Sequence, residues 1–84
     1  MNENKSTEKV CYRVIAETAF LEDCGKYHTY GLRAEEKRSN RRILAEVIYD
    51  ITTNRRKAKQ MARLFNKHQV AVVHFQDVVE DMLP

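Results

Sequence analysis

Glycine occurs twice and proline once in 84 residues. So few chain breakers exclude long irregular loops and interdomain linkers, and leave dense regular structure joined by tight turns. Cysteine is almost as scarce. Cys11 and Cys24 cannot make a disulfide framework. On the strand reading below they stand roughly 40 Å apart along one extended strand, too far for a bridge, and read as two reduced thiols. Neither these cysteines nor the three histidines show the CxxC or HxxxH spacing of a metal site. Long hydrophobic runs are missing too. The longest, VAVVHF at Val70–Phe75, falls far short of the ~20 residues a membrane span needs. The opening MNENKSTEK lacks the apolar stretch of a secretory signal. It reads as a flexible polar tail over residues 1–9, with the cytoplasm as the expected location. There is no glycine-rich phosphate loop, no GxSxG and no cysteine placed beside a histidine. The expectation is a protein that is not an enzyme and takes no cofactor.

What remains is 43% hydrophobic and 32% charged, the balance of one globular domain, here expected over residues 10–84. A chain this short buries roughly 60–65% of its unfolded surface. Val10–Leu21 alternates. Val10, Tyr12, Val14, Ala16 and Phe20 take one face, and Arg13, Ile15, Glu17 and Ala19 the other, which is strand periodicity. A three-residue loop at Asp23-Cys24-Gly25, its glycine left-handed, sets Val14 opposite Ala34, Ala16 opposite Leu32, Thr18 opposite Tyr30 and Arg13 opposite Glu35. A two-residue tip at Ser39-Asn40 sets Leu32 opposite Val47, Ala34 opposite Ala45 and Tyr30 opposite Tyr49. The two registers agree on one buried face. They predict an antiparallel meander over about Val10–Leu21, Tyr27–Lys37 and Arg42–Ile51.

An apolar sheet face needs a cover. Thr52 or Thr53 is placed to cap a helix in which Ala58, Met61, Ala62 and Phe65 follow i, i+3, i+4, i+7 spacing, with Leu64 beside them. Val70–Val73 then reads as extended, a candidate fourth strand. HFQDVVEDMLP reads as a short terminal helix that starts at His74 or Phe75. The fold class expected is α+β.

Charge is unevenly spread. From Lys37 to Gln69 ten cations face two acids, a net of +8. Arg55, Arg56 and Lys57 open the helix, although cations belong at its other end. Arg41, Arg42, Arg55, Arg56, Lys59 and Arg63 form the candidate contact for an anion or nucleic acid. The plainer reading is a solvated helix back. Ile15, Leu21, Leu44 and Ile48 are expected on the outer sheet face, a candidate interface covered either by Val70–Leu83 or by a second copy of the chain. The strand edges at Val10–Leu21 and Arg42–Ile51 could also pair between chains. His74, Asp77, Glu80 and Asp81 have the spacing to touch a metal, but such a pattern is more often a cap with a solvated acidic face, and no metal is assigned. His28 reads as a core-edge residue, and Tyr30 and Tyr49 as core.

YGL at Tyr30–Leu32, YDITT at Tyr49–Thr53 and HFQDVVEDML at His74–Leu83 together resemble a family of small uncharacterised bacterial proteins, mostly clostridial, with a domain of unknown function. The likeness spans the last two-thirds of the chain and carries no catalytic residues with it. It implies a small cytoplasmic accessory or regulatory protein. The Arg55-Arg56-Lys57 run departs from the more acidic central helix of such relatives, so the likeness lends nothing to a nucleic-acid role. Residues and resemblance together point to a non-enzymatic interaction module that binds protein, a second copy included, with a nucleic-acid-binding accessory protein as the alternative.

Overall fold

The computed structural model describes residues 9–23 and 25–83. Of the tail expected over residues 1–9, residues 1–8 lie outside the described residues, as does the Cys24 thiol, while Lys9 already belongs to the first strand. Three strands come first: β1 at Lys9–Leu21, β2 at Gly25–Arg38 and β3 at Arg41–Thr52. They form one antiparallel sheet in the order β1-β2-β3. Helix α1 spans Arg55–His68, a single 3-10 turn spans Val72–His74, and helix α2 spans Phe75–Met82. The fold is α+β, as expected. The segment after α1 is not a fourth strand.

Both hairpins form, with two corrections to their registers. Between β1 and β2, Val14 pairs with Leu32, Ala16 with Tyr30 and Arg13 with Arg33. This is two residues away from the expected pairing. An even slip leaves every side chain on the face it was assigned, so the hydrophobic pattern alone could not separate the two registers. Gly25 has φ +75°, the left-handed conformation expected of it. It opens β2 opposite Leu21. Arg13 still reaches Glu35, now on a diagonal, at 3.9 Å.

At the second turn Ser39 and Asn40 have φ 51° and 68°, the paired left-handed residues of a two-residue hairpin whose twist matches that of the strands. The expected register holds from Arg38–Arg41 to Glu35–Leu44. One extra residue, Ala45, then enters β3, so Ala34 pairs with Glu46 and Leu32 with Ile48. A one-residue bulge reverses the faces beyond it. Ile48 therefore turns inward and packs against the core, which corrects its place on the outer face. A second irregularity puts Tyr49, Asp50 and Ile51 opposite Gly31. Tyr49 is thrown outward and is 62% exposed, so it is not a core residue. Asp50 adopts φ 57°. Its carboxylate accepts the buried Thr29 hydroxyl at 2.6 Å, which holds that strained backbone in place. A side chain at position 31 would run into the Ile48 carbonyl oxygen and lie 3.0 Å from Tyr49 Cα, so only glycine fits under the bulge.

The helix cap is Asn54, not Thr52 or Thr53. Its Oδ1 accepts the Lys57 amide at 3.1 Å, while the Thr52 hydroxyl accepts the Asn54 amide at 3.1 Å. Ala58, Met61, Ala62 and Phe65 are all buried on the sheet, as their spacing predicted. Leu64 is exposed. The helix ends at Gln69 in the left-handed conformation, and the Val70 amide donates back to the Phe65 carbonyl at 3.1 Å. Phe75 then drops into the core. The Tyr12, Phe65 and Phe75 rings meet edge to face with centroids 5.1, 5.0 and 5.9 Å apart. Full burial of such a side chain contributes roughly 1.5–3 kcal/mol, so this trio is what docks α2 beside α1.

Candidate interaction surface

Both helices pack on the same sheet face. The core joins Val10, Tyr12, Leu32 and Ala34 to Met61, Ala62, Phe65, Phe75 and Val79. The segment Val70–Leu83 therefore does not wrap the outer face, which corrects one of the two covers expected for it. Val70, Val72, Val78, Met82 and Leu83 all pack against the inner core instead. On the outer face Leu21 and Leu44 are 50% and 52% exposed. Ile15 is half-buried.

The centre of that outer face is ionic. Glu35 has a side chain only 7% exposed, and three guanidinium groups converge on it: Arg33 from its own strand at 3.0 Å, Arg42 from β3 at 3.7 Å and Arg13 from β1 at 3.9 Å. A carboxylate buried this far needs its charge compensated. Arg42, one of the candidate anion contacts, is thus already engaged. It also lies on the opposite side of the sheet from α1.

The other candidate cations divide by position. Arg55, Arg56, Lys59 and Arg63 are exposed on the solvent side of α1. Arg41 and Arg42 sit at the end of the sheet where α1 stops. α1 has 14 residues, so these two stand about 20 Å along the helix axis from Arg55. The structure does not gather the six into one patch. His28 is exposed rather than at the core edge, and Tyr30 is half-buried. Among the described residues no group of three or more His, Cys, Asp or Glu side chains could hold a metal ion, and no helix is long and apolar enough to cross a membrane.

The edge of β1 has two different halves. At Val10 and Tyr12 it is closed by side-chain amides. Asn66 Oδ1 accepts the Tyr12 amide at 2.7 Å and Asn66 Nδ2 donates to the Tyr12 carbonyl at 3.0 Å. Gln69 does the same for Val10, at 3.0 and 2.8 Å. The two amides mimic a neighbouring strand. The Tyr12 hydroxyl donates to the Val70 carbonyl at 2.6 Å, tying the same edge to the chain beyond α1. Burial, helped by the charges of Glu46 and Glu36, pushes the Tyr12 phenol up to about 12, so it stays a donor.

From Val14 onward no described residue closes the edge. The β1–β2 register is unbroken from Lys9 to Leu21. The outward backbone groups of Val10 and Tyr12 are therefore continued by those of Val14, Ala16, Thr18 and Phe20. None of these four has a hydrogen-bond partner on that side among the described residues. β3 ends opposite Tyr30, so beyond it β1 and β2 project as a two-stranded arm. The molecule is correspondingly long, 57 × 24 × 18 Å. Phe20 on the arm is 68% exposed.

A family of unknown function, DUF6514, matches residues 1–84. The chain belongs to that family. No curated protein and no solved structure matches it. The DUF6514 match covers the whole sheet and both helices, so the open β1 edge and the Asn66–Gln69 closure lie within the matched region.

Asn66 and Gln69 escaped the sequence reading. They stand three apart at the end of an amphipathic helix, a signal that becomes specific only once the helix is known to end beside β1. Glu35 was anticipated only as a partner of Arg13, because Arg33 and Arg42 reach it across strands.

Proposed function

We propose that this DUF6514 chain is a non-enzymatic interaction module that binds protein through the open part of the β1 edge. The observation that carries the reading is the row of outward N–H and C=O groups from Val14 to Phe20, flanked by the exposed side chains of Phe20 and Leu21. A straight, unpaired edge is a template for another strand. Elsewhere the chain suppresses such pairing: two amides close Val10 and Tyr12, and bulges interrupt β3. An edge left open beside one so carefully closed is a binding surface. A photo-crosslinking side chain placed at Leu21 in living cells tests this. Protein adducts are expected, and they should vanish when Thr18→Pro removes an outward amide. If the chain stays uncrosslinked, the reading fails.

One observation favours a second reading. Arg55, Lys59 and Arg63 recur every four residues along the exposed face of α1, and no acidic side chain pairs with them among the described residues. Such a stripe fits a phosphate backbone. Anisotropy of labelled oligonucleotides at two salt concentrations tests it, with binding expected to weaken steeply as salt rises. Indifference to salt, or no binding at low salt, would retire the stripe.

A further inference from the structure

We infer that the partner of the open β1 edge is a second copy of this chain, paired antiparallel about a two-fold axis at Thr18 to make one six-stranded sheet. This rests on the edge-binding reading and adds the occupant and its register. The axis is selected by what the edge offers on each side of Thr18. In this register Ala16 lies opposite Phe20 of the second copy on the helix side of the sheet. Ile15 lies opposite its Leu21 on the outer side. The two exposed apolar residues of the arm, Phe20 and Leu21, thereby each gain an apolar neighbour, and Thr18 meets Thr18, a favourable pair. The acidic turn Glu22-Asp23 comes alongside the exposed Arg13. No like charges stand directly opposite.

The neighbouring registers are poorer. An axis at Glu17 sets two carboxylates face to face. At Ala16 the ladder needs the Tyr12 backbone, which Asn66 already holds. With the axis at Phe20, the ladder shrinks to Thr18–Glu22 before it meets the turn. At Thr18 the pairing uses the free edge without reaching the closed one: it runs from Val14, the first residue beyond the amide closure, to Glu22, where the turn begins. Each directly opposed outward pair exchanges two bonds, so Ala16, Thr18 and Phe20 supply about six backbone hydrogen bonds. The two-fold runs perpendicular to the sheet, so the helices of both copies lie on one side.

Sedimentation velocity of the full chain over a concentration series tests the inference, with amide hydrogen exchange read on the same samples. The expected result is a species of twice the 9.9 kDa chain mass, in which the Ala16, Thr18 and Phe20 amides become protected as concentration rises. Protection of the Tyr12 amide should not change. Thr18→Pro deletes an amide that has no partner among the described residues. It should raise the dissociation constant on the order of ten-fold or more, two of the six bonds being lost. Leu21→Lys should weaken pairing without touching the backbone, and it decides the matter if Thr18→Pro fails to fold. A dimer whose Ala16, Thr18 and Phe20 amides exchange freely would overturn the edge pairing and leave an interaction module that uses another face. A monomer at every concentration overturns the second copy as occupant. Crosslinked adducts at Leu21 would then keep the broader reading with a different protein on the edge, and their absence would remove both.

Discussion

Replacing Asn66 by alanine strips the closure from the Tyr12 edge. Two hydrogen bonds are lost, at 2.7 and 3.0 Å, worth about 1 kcal/mol each in net terms. The backbone they leave behind belongs to a residue only 3% exposed, so water replaces them poorly and an orphaned group costs a further ~1–2 kcal/mol. Alanine's better helix propensity returns roughly half a kcal/mol. The expected loss is therefore about 2.5–3.5 kcal/mol. A domain of this size has a total stability on the order of 5–10 kcal/mol, and the melting temperature should fall by roughly 10–28 °C. Gln69→Ala removes three bonds, two to Val10 and one to the Asn66 carbonyl, but from an exposed side chain whose place water can take, so it should cost less, about 1–2 kcal/mol. Asn66→Asp keeps the acceptor for the Tyr12 amide and turns a carboxylate oxygen on the Tyr12 carbonyl, and should cost at least as much as alanine. Urea unfolding followed by circular dichroism reads all three, with the m-value unchanged if only stability moves. A loss below about 0.5 kcal/mol for Asn66→Ala, or a larger loss for Gln69→Ala, would refute the view that these amides close a buried edge.

Phe75→Ala empties the centre of the aromatic trio and should cost about 3–5 kcal/mol, with α2 released first; hydrogen exchange along Gln76–Met82 would show it, and wild-type protection there would contradict the docking. Gly31→Ala drives a methyl group into the Ile48 carbonyl and should destabilise by at least ~1–3 kcal/mol in the same urea assay; neutrality would mean that the second β3 bulge is not held against β2. Alkaline titration reports on Tyr12. Its folded value of about 12 lies above the ordinary 10, so below pH 10 both states hold the proton and the full stability is present. Between about 10 and 12 the unfolded chain releases its proton first, and stability falls as pH rises, by up to on the order of 2–3 kcal/mol. Tyr12→Phe should remove that component of the slope, and an unchanged slope would refute its origin in Tyr12.

The elements were legible where their cause is local. Alternation along Val10–Leu21 and the Ala58–Phe65 stripe name a strand and a helix face without help from the rest of the chain, and both stand where expected. The Ser39-Asn40 tip was legible for the same reason, since two adjacent left-handed residues suit only a tight hairpin. Registers were legible only modulo two. Side-chain alternation repeats every second residue, so it cannot see the slip that replaced Val14–Ala34 by Val14–Leu32. Bulges were invisible. Ala45 and Tyr49 carry no turn chemistry, and Asp50, though it tolerates a left-handed backbone, stands alone inside an apolar strand pattern; yet these residues decide that Ile48 faces the helices and Tyr49 faces solvent.

The candidate surfaces show the same division. Composition placed exposed cations on α1, because each is decided by its own helix face. Whether Arg42 joined them depended on which side of the sheet it left, and the Glu35 cluster drew it away. The open edge of β1 was anticipated as a whole strand. Its closed half appeared only in three dimensions, where the end of α1 brings Asn66 and Gln69 against backbone more than fifty residues away. Local periodicity therefore determined what the pieces are. Long-range packing of Tyr12, Phe65 and Phe75 decided where the last helix lies, because ring contacts of this kind exist only once distant segments meet. By placing the helices on one side, it also decided which sheet face and which stretch of edge were left for a partner.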